Sequence, residues 1–124
     1  MKGILWLTVP SALKDFAQIK PIYPNGNPHH ITLVFGTEEH IFKNVIGKKV
    51  FVLAYENCWN DRIQAVRVQL PNDIPCVNRH PHITVSYAPG VEPKESNIML
   101  ASEHQSNKVS FSFYTIVEFY KWSP

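Results

Sequence analysis

A short segment that occurs twice constrains the fold of this chain more than any other feature. The letters HITL stand at residues 30–33 and HITV at residues 82–85, 52 positions apart. In both segments polar and apolar side chains alternate with the period of two that is typical of a β-strand. Each segment also follows a loop rich in proline and asparagine. The repetition predicts two equivalent strands, each exposing one histidine and one threonine from an apolar backing, as in two lobes that face each other across a cleft.

Strand and helix patterns divide the chain in the order β-α-β-α-β-β-β-α-β. Two stretches with three prolines each, residues 20–28 and 71–81, are predicted to be loops. This order, with residues 57–61 as a hairpin turn, predicts an α+β fold with a mostly antiparallel sheet, in a single domain over residues 1–124. The predicted strands are residues 3–9, 30–35, 49–56, 62–70, 82–87 and 109–122, and the predicted helices are residues 12–19, 37–47 and 93–101.

Composition sets limits on the class of protein. With 44% hydrophobic and 18% charged residues, the 124-residue chain is typical of a soluble globular domain. Its apolar runs are too short to cross a bilayer. Cys58 and Cys76 are the only cysteines, which favours a reducing, cytoplasmic location while leaving one disulfide open. A net charge of +2 suits a small anionic ligand better than duplex DNA.

The repeated histidines and threonines carry the chemistry needed to cleave a phosphodiester. One imidazole takes a proton from the attacking hydroxyl or water, and the other gives a proton to the leaving oxygen. Two threonine hydroxyls supply donors for the charge that develops on the phosphoryl oxygens. The catalytic candidates are therefore His30, Thr32, His82 and Thr84, and because these groups supply both proton transfers, no metal or other cofactor is expected.

Two other interpretations of the histidines stay open. Each could be a strand-end residue whose ring is held by ordinary structural hydrogen bonds. Alternatively, His29, His30, His80 and His82 together offer four imidazole ligands to a metal ion. The metal site is disfavoured because His29 and His30 point to opposite faces of a strand and no acidic or cysteine ligand lies nearby at a fixed spacing.

The two motifs resemble those of the two-histidine phosphoesterase superfamily. The stretch over residues 82–97 is similar to the phosphodiesterase domain of fungal tRNA ligases, and the chain also resembles phage proteins that cleave cyclic oligonucleotide messengers. The resemblance implies a bilobal, pseudo-two-fold fold in which the motif strands are central and helices lie outside. It also implies catalytic roles for His30, Thr32, His82 and Thr84.

The resemblance leaves the substrate open. The leading expectation is a cyclic oligonucleotide signal, cut by an anti-defence enzyme of viral type. The alternatives are a 2′,3′-cyclic or 2′,5′-phosphodiester in RNA processing, or a non-catalytic nucleotide- or RNA-binding module of the same fold. No duplex DNA or membrane partner is expected, and the oligomeric state is left open.

Five further residues are predicted to bind substrate. Tyr23 lies in the loop before the first motif, where a ring can stack on a base. Ser86 shares strand parity with His82 and Thr84. In the last strand, parity puts the other three on one mixed face, which suits stacking by the aromatic rings and a hydrogen bond from a base amine to the carboxylate, although packing would explain the rings as well: Glu118, Tyr120 and Trp122.

Overall fold

The computed structural model describes residues 2–10 and 19–122. The predicted helix over residues 12–19 lies outside the described residues except for Ile19, which is buried in the core. No helix in the described ranges is long and apolar enough to cross a membrane. The elements are β1 (Lys2–Thr8), β2 (His30–Glu38), a 3₁₀ helix (Glu39–Phe42), β3 (Lys49–Trp59), β4 (Ile63–Gln69), β5 (His82–Tyr87), α1 (Glu95–Ala101) and β6 (Gln105–Lys121).

All six strands belong to one antiparallel sheet in the order β2-β1-β6-β3-β4-β5. The long strand β6 pairs with β3 along most of its length and with β1 near its end. The two outermost strands, β2 and β5, are also in contact, so the sheet curls until it is nearly closed. At this seam the Val77 amide, in the loop before β5, donates to the Leu33 carbonyl of β2 at 3.1 Å.

This topology changes the expected position of the motifs. The resemblance implied that the motif strands are central, but β2 and β5 are the two ends of the strand order. The motifs meet because the sheet curls, not because they lie side by side within it. The two pseudo-symmetric lobes stay a prediction, since the described strands form one continuous sheet.

The hydrophobic core lies on one face of the sheet and includes both motif strands. Ile31 and Leu33 of β2 and Ile83 and Val85 of β5 are at most 1% exposed. Strand alternation therefore turns the motif histidines and threonines to the opposite face, as predicted. The same core also takes buried side chains from the other four strands, including Leu5, Leu7, Val50, Val52, Val66, Val68, Phe113 and Val117.

Helix α1 covers a smaller apolar cluster on the other face of the sheet. Met99 and Leu100 of the helix pack with Ala65 of β4 and with buried Cys58 of β3. Because Ala65 is the cross-strand partner of Thr84, the helix lies beside the second motif. The apolar contacts of helix α1 thus place the helix next to the second motif.

The helix predicted over residues 37–47 is wrong. Thr37 and Glu38 are the last residues of β2 and pair with Gly3 and Lys2 of β1. Only a four-residue 3₁₀ helix follows, and a turn then continues to Gly47, which has a φ of 92°. Pairing with β1 satisfies backbone groups that the sequence pattern had assigned to a helix N-terminus. Strands β3 and β6 are likewise longer than predicted, because their extensions pair with each other from Glu56 to Trp59.

Candidate active site

The four motif side chains line one cleft of about 540 Å³ at the seam between β2 and β5. The cleft holds three imidazoles and one lysine, and no carboxylate lines it among the described residues. A cleft with a lysine, three imidazoles and no carboxylate favours an anionic ligand over a cationic one. The lining residues are Ile4, Gly26, Asn27, His29, His30, Thr32, Phe35, Asn78, His82, Thr84, Tyr87, Pro93, Lys94 and Asn97.

The loop before the first motif forms one wall and is bound to the strand of the second. Asn25 and Tyr87 exchange backbone hydrogen bonds at 3.2 and 3.0 Å. Gly26 has a φ of 88°, and a Cβ there would lie 2.7 Å from the Tyr87 ring. Only glycine fits this backbone conformation and close approach. The glycine in the proline- and asparagine-rich loop therefore allows it to pack directly on β5.

A buried network of polar side chains also holds this loop in place by hydrogen bonds to its backbone. Ser86 is fully buried, and its hydroxyl donates to Gln64 Oε1 at 2.6 Å. It accepts from the backbone N–H groups of Ile22 and Tyr23 at 3.3 and 3.2 Å. The expectation that Ser86 binds substrate is therefore corrected, because its hydroxyl is occupied in holding the loop and does not line the cleft. Strand parity predicted which face of the strand carries Ser86, but it could not predict that a loop covers Ser86.

His82 is held by the chain segment that precedes it. Its Nδ1 lies 2.6 Å from the His80 carbonyl, and since a carbonyl only accepts, Nδ1 carries the proton. In the neutral ring Nε2 then has a free lone pair. The residue is 9% exposed, and burial lowers the pKa of His82, opposed in part by the hydrogen bond to the His80 backbone. The neutral form of His82 is thus the ready acceptor of a proton.

His30 has different surroundings. Its Nδ1 lies 3.0 Å from Nδ1 of His29, and its ring lies 4.4 Å from the Trp6 ring, centroid to centroid. Burial, and to a lesser extent the imidazoles of His29 and His82, lower the pKa of His30 to about 4. His30 and His82 line the same cleft, so one substrate can meet both imidazoles.

The two threonines are not equivalent. Thr84 Oγ1 lies 2.9 Å from Ser96 Oγ of α1, and Ser96 gives its single hydroxyl hydrogen to the Pro93 carbonyl at 2.9 Å. Thr84 must therefore donate to Ser96 in the ligand-free protein. Thr32 lines the cleft without such a bond to the described part of the chain. Its hydroxyl is the freer donor toward a phosphoryl oxygen.

The other substrate-binding candidates differ in how they lie relative to the cleft. Tyr23 lies outside the cleft, in a separate groove, where its hydroxyl donates to the Asn60 carbonyl. Trp122 packs against Phe35, which itself lines the cleft, with ring centroids 5.3 Å apart. Tyr120 stacks on Trp6 at 4.9 Å, and Glu118 is the cross-strand partner of Trp6. The last strand is therefore connected to the cleft by the contact between its Tyr120 and Trp6.

Sequence reasoning missed His29, which lines the cleft, and Trp6, whose ring packs against His29 and His30. The position of Trp6 beside the first motif depends on its cross-strand pairing with Thr32, which one sequence does not contain. His29 was set aside as pointing away from His30, yet it precedes β2 and its ring turns back toward its neighbour. Lys94 also lines the cleft, where its ammonium group is placed to meet a phosphate.

The one group of three potential metal ligands in the described ranges lies elsewhere. It consists of Glu56, Cys58 and His104, on β3 and just before β6. The guanidinium of Arg67 stands 3.0 Å from Glu56, which opposes a cation at that place. None of these residues lines the cleft.

Comparison with known proteins gives one match. The sequence model of the fungal tRNA ligase phosphodiesterase domain matches residues 27–119, which are 93 of the 124 residues and include both motifs. No curated protein and no solved structure matches the chain. The resemblance to the fungal tRNA ligase domain is therefore confirmed, whereas the resemblance to phage proteins stays a prediction.

The buried network under the loop generates a stability prediction. Replacing Ser86 by alanine removes the acceptor of the Tyr23 N–H and one donor to Gln64 Oε1, while the Ile22 N–H keeps Gln64 Oε1 at 3.0 Å. Ser86→Ala should therefore lower the free energy of unfolding by about 1–3 kcal/mol. Ser112→Ala, an exposed serine on β6, is the matched control and should change it by less than about 0.5 kcal/mol. Denaturant unfolding measures both, and equal effects would contradict the role assigned to Ser86.

Proposed function

The chain belongs to the family of the fungal tRNA ligase phosphodiesterase domain, and from that membership we propose that it hydrolyses a nucleotide phosphodiester by metal-independent acid–base catalysis. The observation that carries the proposal is the meeting of His30, Thr32, His82 and Thr84 in one cleft. The same cleft combines a lysine and neutral polar groups with apolar residues, and no carboxylate lines it among the described residues. A phosphodiester, which carries one negative charge, suits these surroundings.

The proposed reaction assigns each group a simple part. One motif histidine takes a proton from the nucleophile, and the other gives one to the leaving oxygen. The Thr32 hydroxyl donates to a non-bridging phosphoryl oxygen, and Thr84 does so after releasing Ser96. Lys94 adds a positive charge at the mouth of the cleft, where it also pairs with Glu92 at 3.0 Å. Desolvation of the cleft strengthens these interactions with the phosphoryl group.

The substrate class favoured by the family is an RNA phosphodiester. The description of the matched family names a tRNA ligase, which supports a terminal 2′,3′-cyclic or a 2′,5′-linked phosphodiester of RNA. The cyclic oligonucleotide of a viral anti-defence enzyme is a second candidate, supported by the motif resemblance alone. Incubation with all three substrate types, followed by mass analysis of the products, separates these candidates.

An aromatic pair next to the cleft supports recognition of a nucleoside. The Tyr120 ring stacks on Trp6 with an interplanar angle of 22°, and Trp6 in turn lies against His30. Tyr120 is 49% exposed, so part of its ring is available to a base. We place the base beside the scissile phosphate on this pair. Trp122, which packs on Phe35, stays a candidate for contacting the next nucleotide of the substrate.

A non-catalytic binding module is the alternative of a different class. Such a module would use the cleft to hold a phosphate but would not need two imidazoles that exchange protons. Loss of both rings would then weaken binding without abolishing a reaction. Turnover by the unaltered chain, and its loss in the histidine variants, distinguishes the enzyme from the module.

Substitution of the motif residues tests the mechanism. His30→Ala and His82→Ala should each lower kcat by ~10²–10⁴ with little change in substrate affinity, because each removes a proton transfer. Thr32→Val should cost more than Thr84→Val, since the Thr84 hydroxyl is already committed to Ser96. The assay contains excess EDTA throughout, and activity should persist in it. The control is His40→Ala, a histidine in the 3₁₀ helix with a 74% exposed side chain.

Two outcomes would contradict this mechanism. A histidine variant with near wild-type kcat would remove that residue from the reaction. Loss of activity in EDTA that zinc or manganese restores would replace the mechanism by a metal-assisted one.

The pH dependence of kcat/KM follows from the lowered pKa values of both motif histidines. The free enzyme needs its acid protonated and its base neutral, which gives a bell-shaped profile between the two pKa values. Because burial lowers both, the maximum should lie below pH 6.5, the ordinary histidine pKa. A bound phosphodiester anion stabilises the imidazolium, so the kcat profile should lie at higher pH. A kcat/KM maximum above pH 7 would contradict the pKa directions.

Exchange of one tyrosine tests the base platform. Tyr120→Leu should weaken binding of a short RNA with a terminal phosphomonoester, the product of the proposed reaction, by about 5- to 150-fold, the range of ~1–3 kcal/mol for base stacking. Tyr114→Leu is the matched control, because Tyr114 is an equally open tyrosine of β6 that packs on Phe51 of β3. Titration calorimetry measures both affinities. Equal dissociation constants for the two variants would remove Tyr120 from the site.

A further inference from the structure

His29 is an exposed histidine that both lines the cleft and contacts a motif histidine. Its Nδ1 stands 3.0 Å from Nδ1 of His30, within hydrogen-bond distance. The two rings meet edge to face, and Trp6 packs against both, with centroids 5.4 Å and 4.4 Å away. Two nitrogens at this distance need one hydrogen between them, so one ring donates and the other accepts.

The motif histidines differ in how they are suited to carry a charge. His82 is buried, and its Nδ1 is fixed as a donor to the His80 carbonyl, so its neutral ring presents a lone pair at Nε2. Burial disfavours the imidazolium form of His30 and lowers its pKa, and charge on the neighbouring His29 or His82 lowers it further. Nδ1 of His30, however, meets a second imidazole, that of His29, and His29 is open to solvent. A charge that is costly on His30 can reside on His29.

We propose that His29 and His30 hold one proton between them and act together as the general acid, while His82 is the general base. The inference rests on the proposed phosphodiesterase activity. His29 is then a positioning and proton-supplying residue that acts through His30. His30 keeps a hydrogen on Nε2, facing the leaving oxygen, because its Nδ1 accepts the hydrogen of His29.

The step balances in protons and charge. At the start His29 is a cation, and His30 and His82 are neutral. The attacking water gives a proton to His82 Nε2 as its oxygen bonds to phosphorus, and the P–O bond to the leaving oxygen breaks. That oxygen takes the hydrogen from His30 Nε2, and His30 Nδ1 takes the shared hydrogen from His29 Nδ1. At the end His82 is the cation and the other two rings are neutral.

Other charged or titratable groups face this pair from three elements. On β5 they are His82 and Tyr87, and before α1 the group is Lys94. On β6 they are Glu118, the partner of Trp6, and Tyr120, which stacks on Trp6. Lys94 disfavours a charge on the pair and Glu118 favours one. The bound phosphodiester adds a negative charge that favours the protonated pair.

The test compares two substitutions of His29 that differ in one property. Glutamine still offers a hydrogen to His30 Nδ1 but cannot carry a proton as a charge, whereas leucine does neither. In both His29→Gln and His29→Leu the basic limb of the kcat/KM profile should move to lower pH by about one unit or more, as expected for the loss of one charge-assisted hydrogen bond. His40→Gln and His104→Gln, both outside the cleft, should keep the wild-type profile.

Opposite results overturn the proposal in identifiable ways. If His29 only repels a charge on His30, the basic limb moves to higher pH in both variants. If it only orients the ring, His29→Gln keeps the wild-type profile. NMR titration of the ring nitrogens, with hydrolysis not involved, gives a second measure: the pair should take up its first proton at higher pH than His30 does in His29→Gln. Loss of turnover in His30→Ala and His82→Ala tests the activity itself, so the two failures are distinguishable.

Discussion

The contact between β2 and β5 is the constraint on which the cleft depends. These strands lie at opposite ends of the sheet order, so the motifs meet only if the sheet curls. The apolar residue of each motif, Ile31 or Ile83, is fully buried in the common core. Burial of such a side chain contributes about 1.5–3 kcal/mol, more than the ~0.5–1.5 kcal/mol of a hydrogen bond across the seam. The core thus curls the sheet, and alternation along each strand turns the histidines outward together.

The same burial has a consequence for the chemistry. A curled seam removes water from two imidazoles, and desolvation lowers the pKa of each. No carboxylate lines the cleft, within the described ranges, to favour the charged form. In the proposed reaction the anionic phosphodiester supplies the missing negative charge, so that protonation of the acid and binding of the substrate are linked. The acid of that proposed reaction is then in its productive form mainly when substrate is bound.

The parts of this arrangement that alternate with period two could be predicted from the sequence. Parity gave the outward histidines and threonines, and strand β5 has the predicted bounds. Parity could not say what covers a face, and so Ser86, which lies under a loop, was assigned to the substrate. The cross-strand neighbours Trp6 and Tyr120 needed the sheet order, which one sequence does not contain. The helix predicted over residues 37–47 is only a short 3₁₀ helix, because β2 pairs with β1 through the expected start of the helix.

The two motifs are alike in sequence but differ in what holds them. The second is enclosed: His82 is tied to the His80 carbonyl and Thr84 to Ser96 of α1. The first is open: His30 meets a second imidazole, and Thr32 lines the cleft with a freer hydroxyl. A two-fold arrangement of identical groups would leave acid and base interchangeable. Here a helix covers one motif and the exposed His29 lies beside the other, so the two histidines have different hydrogen-bond partners, as a division into acid and base requires.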